Sequence, residues 1–188
     1  YLMKLDAFNY TLPSKMIATS PAEPREAARL LDLSCNNIID RQVSDFPSLL
    51  CAGDVLVVNN TKVIPARLIG KRGEASISVT LHKRVSDHVW RVLAKPAKKC
   101  RIDDMIVFSD DFAAIVIGRG VGGEVELSFI NSKSGNALTR TQLDVCLDQY
   151  GSMPLPPYIA RPGGKRDSDE QDYQTMFAEH RGAVAAPT

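Results

Sequence analysis

The stretch ARLIGKRGEASISVTLHKRVSDHVWRVLA, residues 66–94, decides the fold of this chain. It contains three closely spaced apolar segments, ARLIG, SISVTLH and HVWRVLA, with turns of Gly, Asp and Lys between them. Short apolar segments punctuated in this way are typical of consecutive β-strands. The stretch therefore predicts three neighbouring strands of a small all-β domain.

Three further segments, MIVF, AAIVIG and EVELSF, continue the pattern to residue 129. Six short strands at intervals of about ten residues predict a small antiparallel β-barrel. A helix over residues 139–150 is predicted to follow, with Thr139 as its cap and Gly151 after its end.

The residues on either side of the barrel have a different pattern. Residues 28–33 and 38–43 predict two strands around a turn, and VLVVN, residues 55–59, is a continuous apolar run typical of a strand covered on both faces. A second helix is predicted from Ser168 or Asp169 to Gly182, followed by AVAAP as a buried strand of small residues.

We therefore predict two domains. Residues 3–64 and 150–188 form a discontinuous α/β body, and residues 65–149 form an inserted β-barrel domain with a connecting helix. A single continuous domain would leave similar strands, so this alternative stays open.

Composition limits the classes of function. The net charge is +1, but residues 65–135 contain 12 Lys or Arg and 8 Asp or Glu, net +4, which is a candidate surface for an anion or a solvated charged face. The four cysteines form no CxxC pair and the three histidines form no ligand set, so we expect no metal. No apolar run approaches about 20 residues, which predicts no membrane span and a cytoplasmic protein.

The glycine-rich segment GRGVGG, residues 118–123, matches the GxGxxG pattern of dinucleotide-binding folds. That pattern needs a helix whose N-terminus meets the pyrophosphate, whereas the EVELSF that follows alternates with period two. A hairpin turn is the better prediction.

Two loops are candidates for chemistry. The loop after VLVVN carries Asn59, Asn60, Thr61 and Lys62 and leads to Arg67, and amide, hydroxyl and ammonium groups at a strand end suit ligand binding. An Asx-type turn with a solvated lysine is the alternative. The segment MPLPPYIARP, residues 153–162, is stiffened by its prolines and would hold Tyr158 and Arg161 in place, unless it is a plain linker.

Several blocks of this sequence together resemble one known family. They are NNTKVIPARL, GSMPLPPYIARP, YQTMFA and RGAVAAPT, with FNYTLP and GDVLVVNN in support. In these blocks the chain is similar to the N-terminal half of the S-adenosylmethionine:tRNA ribosyltransferase-isomerases of queuosine biosynthesis. The resemblance implies a barrel-like α/β catalytic body, incomplete here because the family continues past AAPT, with an inserted β-barrel.

The resemblance also implies an activity. These enzymes use S-adenosylmethionine as a ribosyl donor, and transfer and isomerise the ribose onto 7-aminomethyl-7-deazaguanine at the tRNA wobble position. The products are epoxyqueuosine-tRNA, adenine and methionine. We expect no permanently bound cofactor, S-adenosylmethionine as co-substrate, tRNA as partner and a monomer. A non-catalytic tRNA-binding fragment and a purely structural role are the alternatives.

Roles for individual residues follow from the resemblance alone. The residues expected to line the pocket or orient substrate are Asn60, Thr61, Lys62, Arg67, Tyr158, Arg161, Tyr173, Gln174 and Thr175. The residues expected to meet the tRNA backbone are Lys71, Arg72, Lys83, Arg84, Lys98 and Lys99. The resemblance does not identify the general base.

Overall fold

Strands dominate the computed structural model, which describes residues 4–34, 37–159, 161 and 166–186. Its strands are β1 (Arg29–Asp32), β2 (Ile39–Gln42), β3 (Thr61–Val63), β4 (Arg67–Arg72), β5 (Ala75–Arg84), β6 (Val89–Lys95), β7 (Met105–Val107), β8 (Ala113–Arg119), β9 (Glu124–Ile130) and β10 (His180–Ala183). Its α-helices are α1 (Arg140–Tyr150) and α2 (Asp169–Asp172), and its 3-10 helices are Leu5–Phe8, Ser14–Met16, Arg25–Ala27, Val43–Leu49 and Ala97–Lys99.

The chain divides into two units, each with its own internal contacts. One unit contains Tyr1–Val57 and Pro156–Pro162, and the other contains Val58–Leu155 and Gly163–Thr188. The barrel, α1, α2 and the pair β3–β10 all belong to the second unit.

The six predicted barrel strands form a closed antiparallel barrel in the order β4-β5-β6-β9-β8-β7, which confirms that prediction. Every second residue points inward: Ile77, Val79 and Leu81 of β5 are at most 1% exposed. Their partners inside are Val92, Leu127 and Phe129, which are fully buried. Burial of each such side chain stabilises the fold by about 2 kcal/mol, so the barrel interior is the main core of this unit.

The barrel closes where β4 meets the three-residue strand β7. The pairing there is Lys71 with Val107, and a Cβ built on Gly70 would lie 2.7 Å from Phe108 Cδ1 and 2.8 Å from the Val107 carbonyl oxygen. A side chain at position 70 would separate these strands. Glycine therefore permits the close approach that closes the barrel.

The glycine-rich segment forms the turn between β8 and β9, as predicted. Gly122 and Gly123 have φ values of 65° and 91°, in the left-handed region that favours glycine. The chain continues directly into β9, so no helix is available to bind a pyrophosphate.

Helix α1 is also confirmed. Thr139 and Gln142 form a capping box. The backbone N–H of Gln142 donates to Thr139 Oγ1 at 3.3 Å, and the backbone N–H of Thr139 donates to Gln142 Oε1 at 2.9 Å. Leu143 and Leu147, one turn apart, are fully buried and anchor the helix to the core.

Outside the barrel the described chain holds two small sheets. β1 and β2 lie within the two strands predicted for residues 28–33 and 38–43 and pair antiparallel, and β3 pairs in parallel with β10. No described helix has the length and apolar composition that a bilayer span requires.

Three predicted elements are wrong. AVAAP does not form the predicted strand, since β10 ends at Ala183 and residues 184–186 lie outside any strand. Residues 55–59 are not a buried strand: Val55 is 86% and Val57 is 89% exposed, because the described residues offer this run no partner strand. The second helix covers only Asp169–Asp172, because the chain turns after Tyr173 and residues 180–183 enter a strand beside β3.

Candidate functional site

A cavity of about 440 Å³ lies beside the short parallel sheet of β3 and β10; we call it the strand-edge cavity. Its lining residues are Lys62, Val63, Pro65, Asp148, Met153, Glu170, Gln171, Gln174, Thr175, Ala178 and Arg181. Three of them, Lys62, Gln174 and Thr175, were predicted as site residues. Its volume lies in the range of small-molecule pockets.

Gln174 holds one wall of this cavity together. Its Oε1 accepts from the Val63 amide at 2.8 Å, and its Nε2 donates to the Val63 carbonyl oxygen at 3.0 Å. The side-chain amide thus pairs with β3 as a neighbouring strand would. This contact joins positions 111 residues apart and sets the segment after α2 against β3.

The loop before β3 is fixed by its own side chains. Asn59 Oδ1 accepts from the Thr61 amide at 2.9 Å and from Thr61 Oγ1 at 2.7 Å, which is the Asx-type turn that the sequence left open. Asn60 Nδ2 donates to Glu179 Oε2 at 3.3 Å. Lys62, in contrast, is exposed at the cavity and has no ion pair with any carboxylate in the described ranges.

Charges of both signs meet at the cavity. Arg181 donates two hydrogen bonds to the carboxylate of Asp148, at 2.6 and 2.9 Å, and this contact raises the pKa of the guanidinium. Glu170 adds a second carboxylate. A ligand with one cationic and one anionic group would find a partner for each.

Thr175 contributes a polar atom that lacks a partner. Its Oγ1 is buried and makes no hydrogen bond within the part of the chain that the structure describes. Buried hydroxyl groups are almost always satisfied, so this one is a candidate contact for a bound molecule.

Sequence reasoning missed the other eight lining residues, among them Asp148, Met153, Glu170 and Arg181. Met153 could have been predicted, since it begins the proline-stiffened segment, residues 153–162, that the sequence marks as a candidate for chemistry. Asp148 lies on the exposed side of α1, where a carboxylate is usually solvated, so its ion pair with Arg181 could not be read from the pattern.

The other predicted substrate-binding residues do not line the strand-edge cavity. Arg67 has an exposed side chain, and its backbone pairs with Ser152. Tyr173 is half-buried outside the lining. Tyr158, 60% exposed, and Arg161, whose Nη1 donates to the Thr19 carbonyl at 3.2 Å, belong to the other unit.

The predicted tRNA-contacting residues form more than one group. Lys71 and Arg72 pair with the first residues of β5, whereas Lys83 and Arg84 end that strand, roughly 30 Å away at 3.3 Å per residue. Lys98 and Lys99 are exposed on the 3-10 helix Ala97–Lys99. Arg72 is bound to Asp104, with 2.8 Å between Nε and Oδ2.

A larger cavity of about 540 Å³ lies between residues 131–138 and α1. It is lined by amides, hydroxyls and apolar groups, with Asp111 as its one charged residue within the described ranges. None of the predicted site residues lines it. The strand-edge cavity is therefore the better candidate for the functional site.

Comparison with known proteins supplies the family. The profile of the family described as "Queuosine biosynthesis protein" matches residues 5–188. This chain belongs to that family. The resemblance found in the sequence blocks is thereby confirmed.

Two curated relatives carry the name S-adenosylmethionine:tRNA ribosyltransferase-isomerase. The protein of Methylocella silvestris is 49% identical over 198 residues, covering 99% of this chain and 53% of the relative. The protein of Sphingopyxis alaskensis is 45% identical over 186 residues, covering 99% and 51%. The chain thus spans about half the length of the relatives it matches.

A solved structure is also similar. The crystal structure of S-adenosylmethionine tRNA ribosyltransferase from Thermotoga maritima is 33% identical and covers 82% of this chain and 50% of that one, with a TM-score of 0.39.

Proposed function

We propose that this chain supplies the N-terminal half of an S-adenosylmethionine:tRNA ribosyltransferase-isomerase. In this proposal residues 3–64 and 150–188 belong to an α/β catalytic body that further polypeptide completes, and residues 65–149 are its inserted barrel domain. The observation that carries the proposal is the match to the family over residues 5–188, with relatives of that name at up to 49% identity.

The proposed reaction transfers the ribosyl group of S-adenosylmethionine to the aminomethyl-deazaguanine base at the tRNA wobble position and isomerises it, releasing adenine and methionine. The sulfonium acidifies the neighbouring C5′ hydrogens, so a general base and groups that stabilise the developing charges are needed. Neither the donor nor a cofactor is held permanently in this scheme.

The strand-edge cavity supports binding of the donor's methionyl group. The ammonium of Lys62, which has no ion pair among the described residues, suits the carboxylate of this group, and Glu170 suits its α-ammonium. Thr175 Oγ1 adds a hydroxyl without a partner in the described chain. Asp148 is already bound by Arg181, so its role is to position the arginine.

Release of adenine tests the proposed reaction. The chain would be joined to the second half of the Methylocella silvestris relative and incubated with S-adenosylmethionine and tRNA that carries the aminomethyl-deazaguanine base. We expect adenine in amounts that depend on this tRNA, and about tenfold less with Lys62→Ala, while Lys133→Ala, an exposed lysine elsewhere, stays active. Adenine no higher than in the absence of tRNA would refute the proposal.

Binding of tRNA without catalysis is the second candidate. It is favoured by a barrel that is closed within the chain, while the chain spans about half of its relatives. This alternative predicts salt-sensitive tRNA binding by the 188-residue chain and no adenine from the fused protein.

A further inference from the structure

A third cavity, of about 400 Å³, lies at the end of β5 where Trp90 of β6 is buried; we call it the Trp90 cavity. Its polar lining comes from His82, Lys83, Arg84, Trp90, Arg140 and Arg181, with Asp144 as its one carboxylate in the described chain. This lining is strongly basic. It differs from the strand-edge cavity, where carboxylates and cations are balanced.

Trp90 presents an unused donor there. The residue is 3% exposed, yet its indole Nε1 has no hydrogen-bond acceptor among the described residues. An indole N–H can only donate, and buried donors are rarely left without an acceptor. A ligand that supplies an acceptor would satisfy it.

Two of the four Lys and Arg side chains around the indole are paired with carboxylates, Arg84 with Asp144 and Arg181 with Asp148. Arg84 is held in place, with Cζ 4.6 Å from the centre of the Trp90 ring and Nη2 3.0 Å from Asp144 Oδ1. Lys83 and Arg140 have no ion pair within the described ranges. Two cations without an ion pair in the described chain therefore line the same cavity as Trp90.

We propose that the Trp90 cavity binds a phosphodiester group of RNA. A phosphodiester carries one negative charge and accepts hydrogen bonds without donating any, which matches a lining of donors. The cavity edge continues outward to Arg91 on β6, which pairs with Lys83 in the sheet and is exposed, with Glu126 Oε2 3.6 Å from its Nε. A chain of phosphates fits this continuation better than a single free phosphate. The choice of RNA rests on the proposed function.

Trp90 is the sole tryptophan of the chain and reports directly on the cavity. A labelled tRNA anticodon stem-loop would be titrated into the 188-residue chain, with binding followed by anisotropy of the label and by tryptophan emission. We expect the two curves to coincide. Inorganic phosphate should change the emission only at far higher concentration, and S-adenosylmethionine should leave it unchanged.

Three other results of this titration would each refute a different part of the proposal. RNA that binds by anisotropy without changing Trp90 emission would refute the cavity and leave the proposed function intact. An equal response to inorganic phosphate at the same concentration would refute RNA as the ligand. If no RNA binds to the 188-residue chain, this inference fails, while tRNA-dependent adenine release by the fused protein tests the proposed function separately.

Variants separate the cavity from general charge. Lys83→Gln and Arg140→Gln should each weaken stem-loop binding about tenfold and reduce the slope of log affinity against log salt by about 1. Lys133 is an exposed lysine that does not line the cavity. Lys133→Gln removes the same charge and should change neither the stem-loop affinity nor the response of Trp90 emission. Equal losses in all three variants would overturn the proposal.

Discussion

Asp32 is the residue whose environment most clearly predicts a pH effect. Hydrogen bonds from the Ser34 hydroxyl and the Ser34 amide, together with Arg41 at 2.7 Å, lower its pKa from 3.8 to about 2. The folded chain therefore binds fewer protons than the unfolded chain between these values, and the stability that Asp32 contributes above pH 4 is lost as the pH falls toward 2.

Thermal unfolding between pH 5 and pH 2 checks this expectation. The midpoint of wild type should fall more steeply over this window than that of Asp32→Asn, because the amide cannot titrate. Asp104 and Asp111, whose pKa values are also lowered, remain in both proteins and cancel in the comparison. Parallel curves would contradict the assignment.

Thr175 makes a second prediction at the scale of one residue. Because its buried Oγ1 has no partner in the described chain, Thr175→Val should leave the free energy of unfolding unchanged or raise it by about 1 kcal/mol. Loss of the hydroxyl should nevertheless weaken binding of S-adenosylmethionine several-fold, as measured by calorimetry. Thr141→Val, on the exposed face of α1, is the matched control; equal affinities in both variants would remove Thr175 from the site.

At the scale of elements, the closure of the barrel depends on Gly70. Gly70→Ala should lower the free energy of unfolding in urea by about 1–3 kcal/mol, because the new methyl group meets the Val107 carbonyl, which cannot move without breaking the β4–β7 pairing. Gly120→Ala is the control, since the atoms nearest to its new methyl group belong to the Glu124 side chain and not to a backbone carbonyl. Similar losses of stability in both variants would show that the β4–β7 pairing does not depend on glycine at position 70.

The pairing of Gln174 with β3 is equally testable. Gln174→Met removes both hydrogen bonds to Val63, and Gln174→Glu keeps the acceptor but replaces the donor. Hydrogen exchange at the Val63 amide should accelerate in both variants, and more in the methionine variant. An unchanged exchange rate would mean that Val63 is protected by other contacts.

Much of the element pattern could be predicted from the sequence, because it depends on local alternation and turn residues. The six barrel strands and α1 are of this kind: buried residues recur every second position in β5, and Thr139 and Gln142 form a local cap. VLVVN misled the prediction because an apolar run forms a strand only where a partner is present.

The strand-edge cavity was harder to predict from the sequence, because its residues come from distant parts of the chain. Lys62 and Thr175 come together because Gln174 pairs with a strand 111 residues earlier, a contact that no local pattern encodes. Arg181 was assigned to the end of a helix, whereas it lies in β10 and binds Asp148.

At the scale of the whole molecule, the proposed function requires that S-adenosylmethionine binds in the strand-edge cavity. Hydrogen exchange of the 188-residue chain, followed by mass spectrometry with and without S-adenosylmethionine, tests this most directly. We expect slower exchange in peptides that cover β3 and residues 169–183, and no change in β8 and β9, which contribute no residue to the cavity lining. Protection confined to the barrel strands, or none at saturating donor, would contradict the account.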